Sequence, residues 1–307
     1  MKEQSTQAAT SSAAALTLPR FITFTGVDEA TSLDDLRAIS AHYPVEWGVL
    51  FSPRHQGADN RYPSIRFVQQ LTGIKGIRLA AHLCGGYARE LISEGKTSLD
   101  LAIKSHFARV QINTADPNID LQAISAWARS LEVEVIVQCR DGFPSDGSVS
   151  WLYDVSGGRG LTPALWPPAH PDVLCGYAGG IGPHNILQVL VRIGAISNAY
   201  WLDMESHVRS HGDLFDLRKC LAVCEAVYGV RDGAMPRNML PTGLTTGDLL
   251  AMAGSLEAGT RCMSLHDEDL HRADAYLRSH AAALIRVVAT RGLLTGLAQS
   301  PTSEQAS

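Results

Sequence analysis

The sequence predicts a (β/α)8 barrel of the TIM type with a C-terminal helical extension, and three observations lead there. Short apolar runs rich in β-branched and aromatic residues alternate with stretches of helical spacing, the rhythm of parallel strands joined by crossover helices. Eight such runs fall between residues 21 and 204, most followed by a segment long enough for a crossover, which fits a closed barrel better than an open doubly wound sheet. With 307 residues, 45% of them hydrophobic and 27 of them glycine, the chain can bury a full core, which excludes disorder throughout.

Taken in order, the candidate strands are Phe21–Thr25, Val45–Phe51, Ile77–Leu83, Ala108–Ile112, Val133–Cys139, Ser150–Asp154, Val173–Ala178 and Ala199–Met204. The amphipathic segments are Ser32–His42, Tyr62–Leu71, Gly86–Lys104, Asp120–Ser130, His184–Ile193 and Asp213–Tyr228. Between the sixth and seventh strands Pro163, Pro167, Pro168 and Pro171 forbid a long helix. The barrel is assigned to residues 19–229. Residues 230–245, rich in Gly, Pro and Thr, stop the rhythm, and Thr246–Ala258 and Glu268–Leu294 then resume helical spacing, so residues 230–298 form the extension. There Leu270, Ala273, Leu277, Ala281, Leu284, Ile285 and Val288 share one face, suited to covering the barrel or to joining two copies as a homodimer. Residues 1–18 and 299–307 lack periodicity and read as solvated, disordered tails.

The balance of 26 basic against 31 acidic residues leaves a net charge of -5, with no long Lys/Arg run to neutralise a nucleic-acid backbone. No nucleic-acid partner is expected. No apolar stretch reaches the length of a spanning helix, and Met1–Leu18 has no long apolar segment of the secretory kind, so the expectation is a cytoplasmic protein without a membrane partner. Cys84, Cys139, Cys175, Cys220, Cys224 and Cys262 read as reduced thiols, most in apolar surroundings. Cys220 and Cys224 stand on one helix without a second pair at zinc-site spacing, and the acidic run His266-Asp267-Glu268-Asp269-Leu270-His271 is better read as stabilising a helix start. Neither metal nor cofactor is expected.

In a barrel, the carboxyl ends of the strands and the loops after them form the active-site face. Here nearly every end is polar or glycine-rich. Gly179 and Gly180 follow the seventh strand, where backbone N–H groups can approach an anion ahead of a helix beginning near Pro183-His184-Asn185. Ser206 after the eighth strand completes a loop pair suited to a phosphoryl group; the plainer reading is that the glycines make tight turns. Asp154 ends the sixth strand beside Gly157-Gly158-Arg159-Gly160 as a candidate general acid, and Asp203 ends the eighth as a contact for a ligand amine or hydroxyl. Either carboxylate would otherwise cap a loop or pair with Arg54 or Arg140. Arg54 itself divides between a ligand anion and a surface ion pair, while Arg159 and Arg209 read as solvent-facing.

The ordered string of motifs resembles the phosphoribosylanthranilate isomerase family, whose members catalyse an Amadori rearrangement in tryptophan synthesis on a (β/α)8 barrel. The resemblance covers roughly residues 20–228. It rests on WGVLFSPR at 47–54, RVQIN at 109–113, WLYDVSGGRG at 151–160 with Trp166, YAGGIGPHNI at 177–186 and LDMESHVRSHGDLFDLRK at 202–219. It implies Asp154 as the general acid that protonates a furanose ring oxygen, Arg54 and Asp203 as contacts to an aminobenzoate portion, and Gly179, Gly180 and Ser206 as phosphate ligands. The family's base is a cysteine in Lys-Ile-Cys-Gly, and the matching stretch here, Thr23-Phe24-Thr25-Gly26, sets Thr25 in that place on the substrate side. A threonine hydroxyl is too weakly acidic to serve unaided, which leaves His82, Cys84 and Cys139 as further candidates at the mouth. His207 replaces the glycine of the eighth-strand signature and Arg209 its glutamate. The resulting expectation is an aldose–ketose isomerase-like enzyme acting on a small phosphorylated substrate. The alternatives are a different reaction on a related ligand, or a non-catalytic barrel that senses a ligand or scaffolds a partner.

Overall fold

The computed structural model describes residues 17–231 apart from positions 115, 117 and 211, together with Ala234. Eight parallel strands close into a TIM barrel: β1 (Ile22–Thr25), β2 (Val45–Phe51), β3 (Leu79–Leu83), β4 (Arg109–Ile112), β5 (Glu134–Cys139), β6 (Ser150–Tyr153), β7 (Cys175–Tyr177) and β8 (Tyr200–Met204). Each pairs with the next, and Ile22 of β1 opposite Leu202 of β8 closes the ring. All eight strands lie within the expected runs, shortened at their ends by at most two residues.

The helices are α1 (Leu33–His42), α2 (Ile65–Thr72), α3 (Gly86–Glu94), α4 (Asp100–His106), α5 (Leu121–Leu131), α6 (Ile186–Gly194) and α7 (Leu217–Tyr228). Side-chain caps start several of them: Ser64 accepts from the Phe67 N–H at 3.2 Å and Asp120 from the Ala123 N–H at 3.0 Å. The single helix expected over Gly86–Lys104 is two. Gly95 caps α3 at φ +68, a left-handed conformation that ends the helix, and Asp100 accepts from the Thr97 N–H at 3.1 Å at the start of α4. The proline-rich connection from β6 to β7 has no helix, and neither has the shorter one from β5 to β6. No described helix is long and apolar enough to cross a membrane. The C-terminal extension, its homodimer face, Cys262 and the His266–His271 run lie outside the described residues.

Parallel strands wrapped by helices are buried on both faces, so alternate residues face two different interiors. Phe24, Trp47, Val49, Leu83, Val110 and Val137 point outward into the layer beneath the helices. That layer also holds Cys220 and Cys224 of α7, which pack as apolar residues. Phe21, Ile136, Leu152, Ala178 and Trp201 form a second, smaller cluster inside the barrel. Beside it lies Arg109, 1% exposed, with its guanidinium 4.1 Å from the Trp201 ring centroid and 4.9 Å from that of Phe21. Arg109 Nε stands 3.4 Å from Oε1 of Glu46, which is 0% exposed and also accepts from Thr23 Oγ1 at 2.9 Å and Arg78 Nε at 2.7 Å. Removing one member of a buried pair strands the other charge. Glu46→Ala is therefore expected to lower unfolding free energy by about 3–5 kcal/mol in urea titrations, and adding Arg109→Met is expected to recover most of that loss.

Candidate active site

The carboxyl ends of the strands surround a cavity of about 480 Å³, and Thr25, His82, Cys84, Asp154, Gly179, Gly180, Asp203 and Ser206 all line it. On its inner side the buried Thr25 Oγ1 donates to Asp203 Oδ1 at 2.7 Å. Burial raises the Asp203 carboxyl to about 7, with Glu205, Asp154 and Glu46 adding to the shift and the Thr25 hydrogen bond opposing it. Near neutral pH this carboxyl is present in both proton states.

His82 projects inward from β3 and is 1% exposed. Burial first, and the Arg109 charge second, lower it to about 3, so the imidazole stays neutral and is a weak base. Cys84 is held up at about 11, chiefly by burial, although Asn113 Nδ2 donates to its sulfur at 3.1 Å. It remains a thiol near neutrality and offers little thiolate for proton abstraction. Asp203, unlike His82 and Cys84, has a proton affinity close to physiological pH.

At the rim, Asp154 organises the loop after β6. Its Oδ1 accepts from the Ser156 N–H at 2.9 Å and the Ser156 hydroxyl at 2.7 Å, and its Oδ2 from the Gly158 N–H at 3.1 Å. The carboxylate thus caps its own loop while lining the cavity. Gly179 and Gly180 have φ of +110 and +61, which favour glycine, and a Cβ on Gly180 would lie 2.6 Å from the Thr162 N and 2.8 Å from the Gly160 O. The glycine loop after β6 therefore lies directly against the seventh-strand turn. Across it, Ser206 Oγ donates to Gly158 O at 3.4 Å, and His207 Nε2 stands 3.1 Å from Gly160 O. His207 also faces His184, ring centroids 4.7 Å apart.

Two of the expected residues lie elsewhere. Arg54 is exposed and does not line the cavity, because the chain after Ser52 curls into a turn in which the His55 and Gln56 N–H groups both donate to Ser52 O. Arg61, later in that loop, lines the cavity instead. Its Nη1 is 2.5 Å from Glu205 Oε1, and its Nε and Nη2 reach the Asp213 carboxylate at 2.7 and 3.0 Å. Cys139 faces the outer layer, since strand alternation sends Gln138 toward the cavity, and its sulfur donates to Leu152 O at 3.6 Å. Burial pushes that thiol up to about 12. Arg209, expected to face water, is buried: its Nη2 binds Asp28 Oδ2 at 2.9 Å, and Phe215 N also donates to Asp28 at 2.7 Å. That pairing pins the short hairpin β9 (Arg209–Ser210) and β10 (Leu214–Phe215) beside β1. Arg159 is exposed, as expected.

Gln111, Asn113, Gln138, Arg140, Glu205 and His207, at strand ends on the expected face but given no ligand or catalytic role from the sequence, line the cavity as well, and so do Arg61 and Tyr62, which the sequence reading missed. Strand alternation was the available signal for Gln111 and Gln138, each an inward position of an assigned strand. Arg61 carried none, because the turn geometry decides which loop arginine enters.

No family model and no curated protein matches the chain. Among solved structures it is similar to TrpF from Jonesia denitrificans, with 16% identity over 68% of this chain and 97% of that one, at a TM-score of 0.47. It is also similar to monomers of the dimeric phosphoribosylanthranilate isomerase from Thermotoga maritima, with 14% identity over 69% and 100% and a TM-score of 0.45. A tryptophan synthase α-subunit from Pyrococcus furiosus follows at 13% identity over 61% and 88%, with a TM-score of 0.40. At these values the likeness carries no argument about activity.

The raised Asp203 carboxyl has a measurable consequence for stability. The folded state holds a proton that the unfolded state releases near its ordinary value of 3.8, so this contribution is complete below that value and is lost as pH rises through about 7. Asp203→Asn, which cannot ionise, is expected to melt higher than the unsubstituted chain at pH 8 by at least about 2–4 °C, with the gap narrowing toward pH 5. Parallel melting curves across that range check it, and a gap independent of pH would contradict it.

Proposed function

We propose that the barrel is an acid–base enzyme that binds a phosphorylated sugar or a related anion and interconverts its aldose and ketose forms, in the manner of phosphoribosylanthranilate isomerases. The observation that carries this reading is that Asp154, Asp203, Gly179, Gly180 and Ser206 all open onto one cavity. The glycine turn before α6, with the helix dipole behind it, suits the phosphoryl group.

Once protonation of the ring oxygen has opened the ring, isomerisation moves one proton from C2 to C1 and one from the C2 hydroxyl to the heteroatom on C1. A carboxylate with a proton affinity matched to neutral pH is an effective base, and Asp203 has that property. Thr25, where the resembling family carries its thiol base, gives its hydroxyl hydrogen to Asp203 and orients that carboxylate. In this reading the basic role passes from a thiol to Asp203, and Asp154 delivers the proton to the ring oxygen. One specific feature favours a second reading, a different reaction on a related phosphosugar. With Arg54 facing solvent and Arg61 engaged by Glu205 and Asp213, no unengaged arginine from the loop after β2 faces the cavity to take an aminobenzoate carboxylate.

The test offers phosphoribosylanthranilate and ribose 5-phosphate separately and follows ketose formation. Turnover of at least one is expected, with kcat reduced about 10²–10⁴-fold in both Asp203→Asn and Asp154→Ala. Undiminished turnover in either variant would remove that carboxylate from the mechanism. Tight phosphosugar binding without turnover would support the ligand-sensing barrel instead.

A further inference from the structure

The inner end of the cavity holds polar atoms that the proposed chemistry leaves unused. His82 Nε2 and Gln111 Oε1 have no hydrogen-bond partner among the described residues, although the two side chains are only 1% and 3% exposed and both line the cavity. The Gln111 amide nitrogen is already committed, donating to Asn113 Oδ1 at 2.9 Å. Buried polar groups of this kind are almost always satisfied, because leaving one unpaired forfeits the hydrogen bond it made in water.

Gly48, an inward position of β2, lets Thr25 and His82 close over the strand and sets both polar groups at the floor of the cavity. A Cβ there would lie 2.5 Å from Thr25 Oγ1 and 3.0 Å from His82 Nε2. Any side chain there would drive the two groups apart, at a strand position where an apolar residue would ordinarily fill the barrel.

The charge at this end narrows the chemistry of the occupant. His82 is neutral, Asp203 is only partly ionised near neutrality, and Arg109 beneath them is engaged by Glu46 and by the Trp201 ring. A carboxylate would meet Asp203 and no cation lining this end, since Arg109 lies beneath the cavity and not in its wall, and an aromatic ring would bury His82 Nε2 and Gln111 Oε1 unpaired. An uncharged hydroxyl can donate to one such atom and accept from another.

We propose that His82 and Thr25, which meet over Gly48, and Gln111, the neighbour of His82 on β4, form a hydroxyl-binding subsite, so that the ligand reaches the barrel interior with a polyhydroxylated carbon chain while its phosphoryl group stays at the glycine rim. The inference rests on the phosphosugar reading above and narrows it: the deep end of the substrate is a sugar, and its specificity is set by His82. His82 is here a binding residue that touches the substrate without exchanging its proton.

Calorimetric titration with ribose 5-phosphate and with inorganic phosphate tests it on the full chain, on His82→Leu and on His82→Gln, with thermal melts to establish that the variants fold. The unsubstituted protein is expected to bind ribose 5-phosphate at least about tenfold more tightly than inorganic phosphate. His82→Leu is expected to erase that advantage without changing phosphate affinity, and His82→Gln, whose amide can still bond a hydroxyl, to restore most of it. In the unsubstituted chain the His82 Nε2 nitrogen resonance should move on adding ribose 5-phosphate and stay put on adding phosphate, a readout that needs no variant. Equal affinity of the unsubstituted chain for the two probes, undiminished ribose 5-phosphate binding in His82→Leu, or loss of phosphate affinity in that variant would each overturn the subsite while the phosphosugar reading stands. Failure of the unsubstituted chain to bind either probe would take both down.

Discussion

Much of this barrel is organised by one buried charge. Arg109 enters the interior from β4, stacks over Trp201 and Phe21, and meets Glu46, which in turn collects Thr23 and Arg78. A guanidinium with so little water around it persists only where a carboxylate and polarisable rings compensate its lost hydration. The arrangement fills the interior beneath the cavity with a polar network where many barrels stack branched aliphatic side chains. It also sets the chemistry above. The positive charge beneath His82 reinforces burial in keeping that imidazole neutral, while the Glu46 carboxylate adds to the proton affinity of Asp203.

The two carboxyl groups at the mouth therefore differ in kind. Asp203 sits deep, accepts one hydroxyl hydrogen bond from Thr25, and feels other carboxylates through a low-dielectric interior. Asp154 sits at the rim and accepts three hydrogen bonds from its own loop, so the same side chain that faces the cavity also shapes the glycine turn above it. That turn lies against Gly180 and receives Ser206 and His207 from the loop after β8, coupling three strand ends through contacts that only glycine permits. On the opposite wall Arg61 ties the loop after β2 to the loop after β8 through Glu205 and Asp213. The cavity is thus walled by loops that hold one another.

Legibility varied with the range of the interaction that decides each feature. The strands were readable because their outward positions are β-branched, aromatic or otherwise apolar even where the inward ones are polar, and turn residues mark where each stops. The break at Gly95 was visible as a residue yet not as a break, since a glycine interrupts a helix only where the chain beyond it is held in another direction, here by the turn in which Asp100 accepts from the Thr97 N–H. Thr25, His82, Asp154 and Asp203 were legible as cavity residues because strand ends in a barrel share one face. Arg54, Arg61 and Arg209 were not, because an arginine side chain is long enough to turn either way and its partners come from distant loops.

By itself the sequence determined the closed eight-stranded architecture and the end of the barrel that opens as a cavity, together with Thr25, His82, Asp154, Asp203 and the glycines that line it. These follow from periodicity and from local steric rules that act within a few residues. The tertiary structure alone decided which ionisable groups are matched to neutral pH, which arginine enters the cavity, and which polar atoms are left without partners at its inner end. Those properties depend on how much water each group loses and which charge it meets across the ring, and neither quantity exists until the strands have closed.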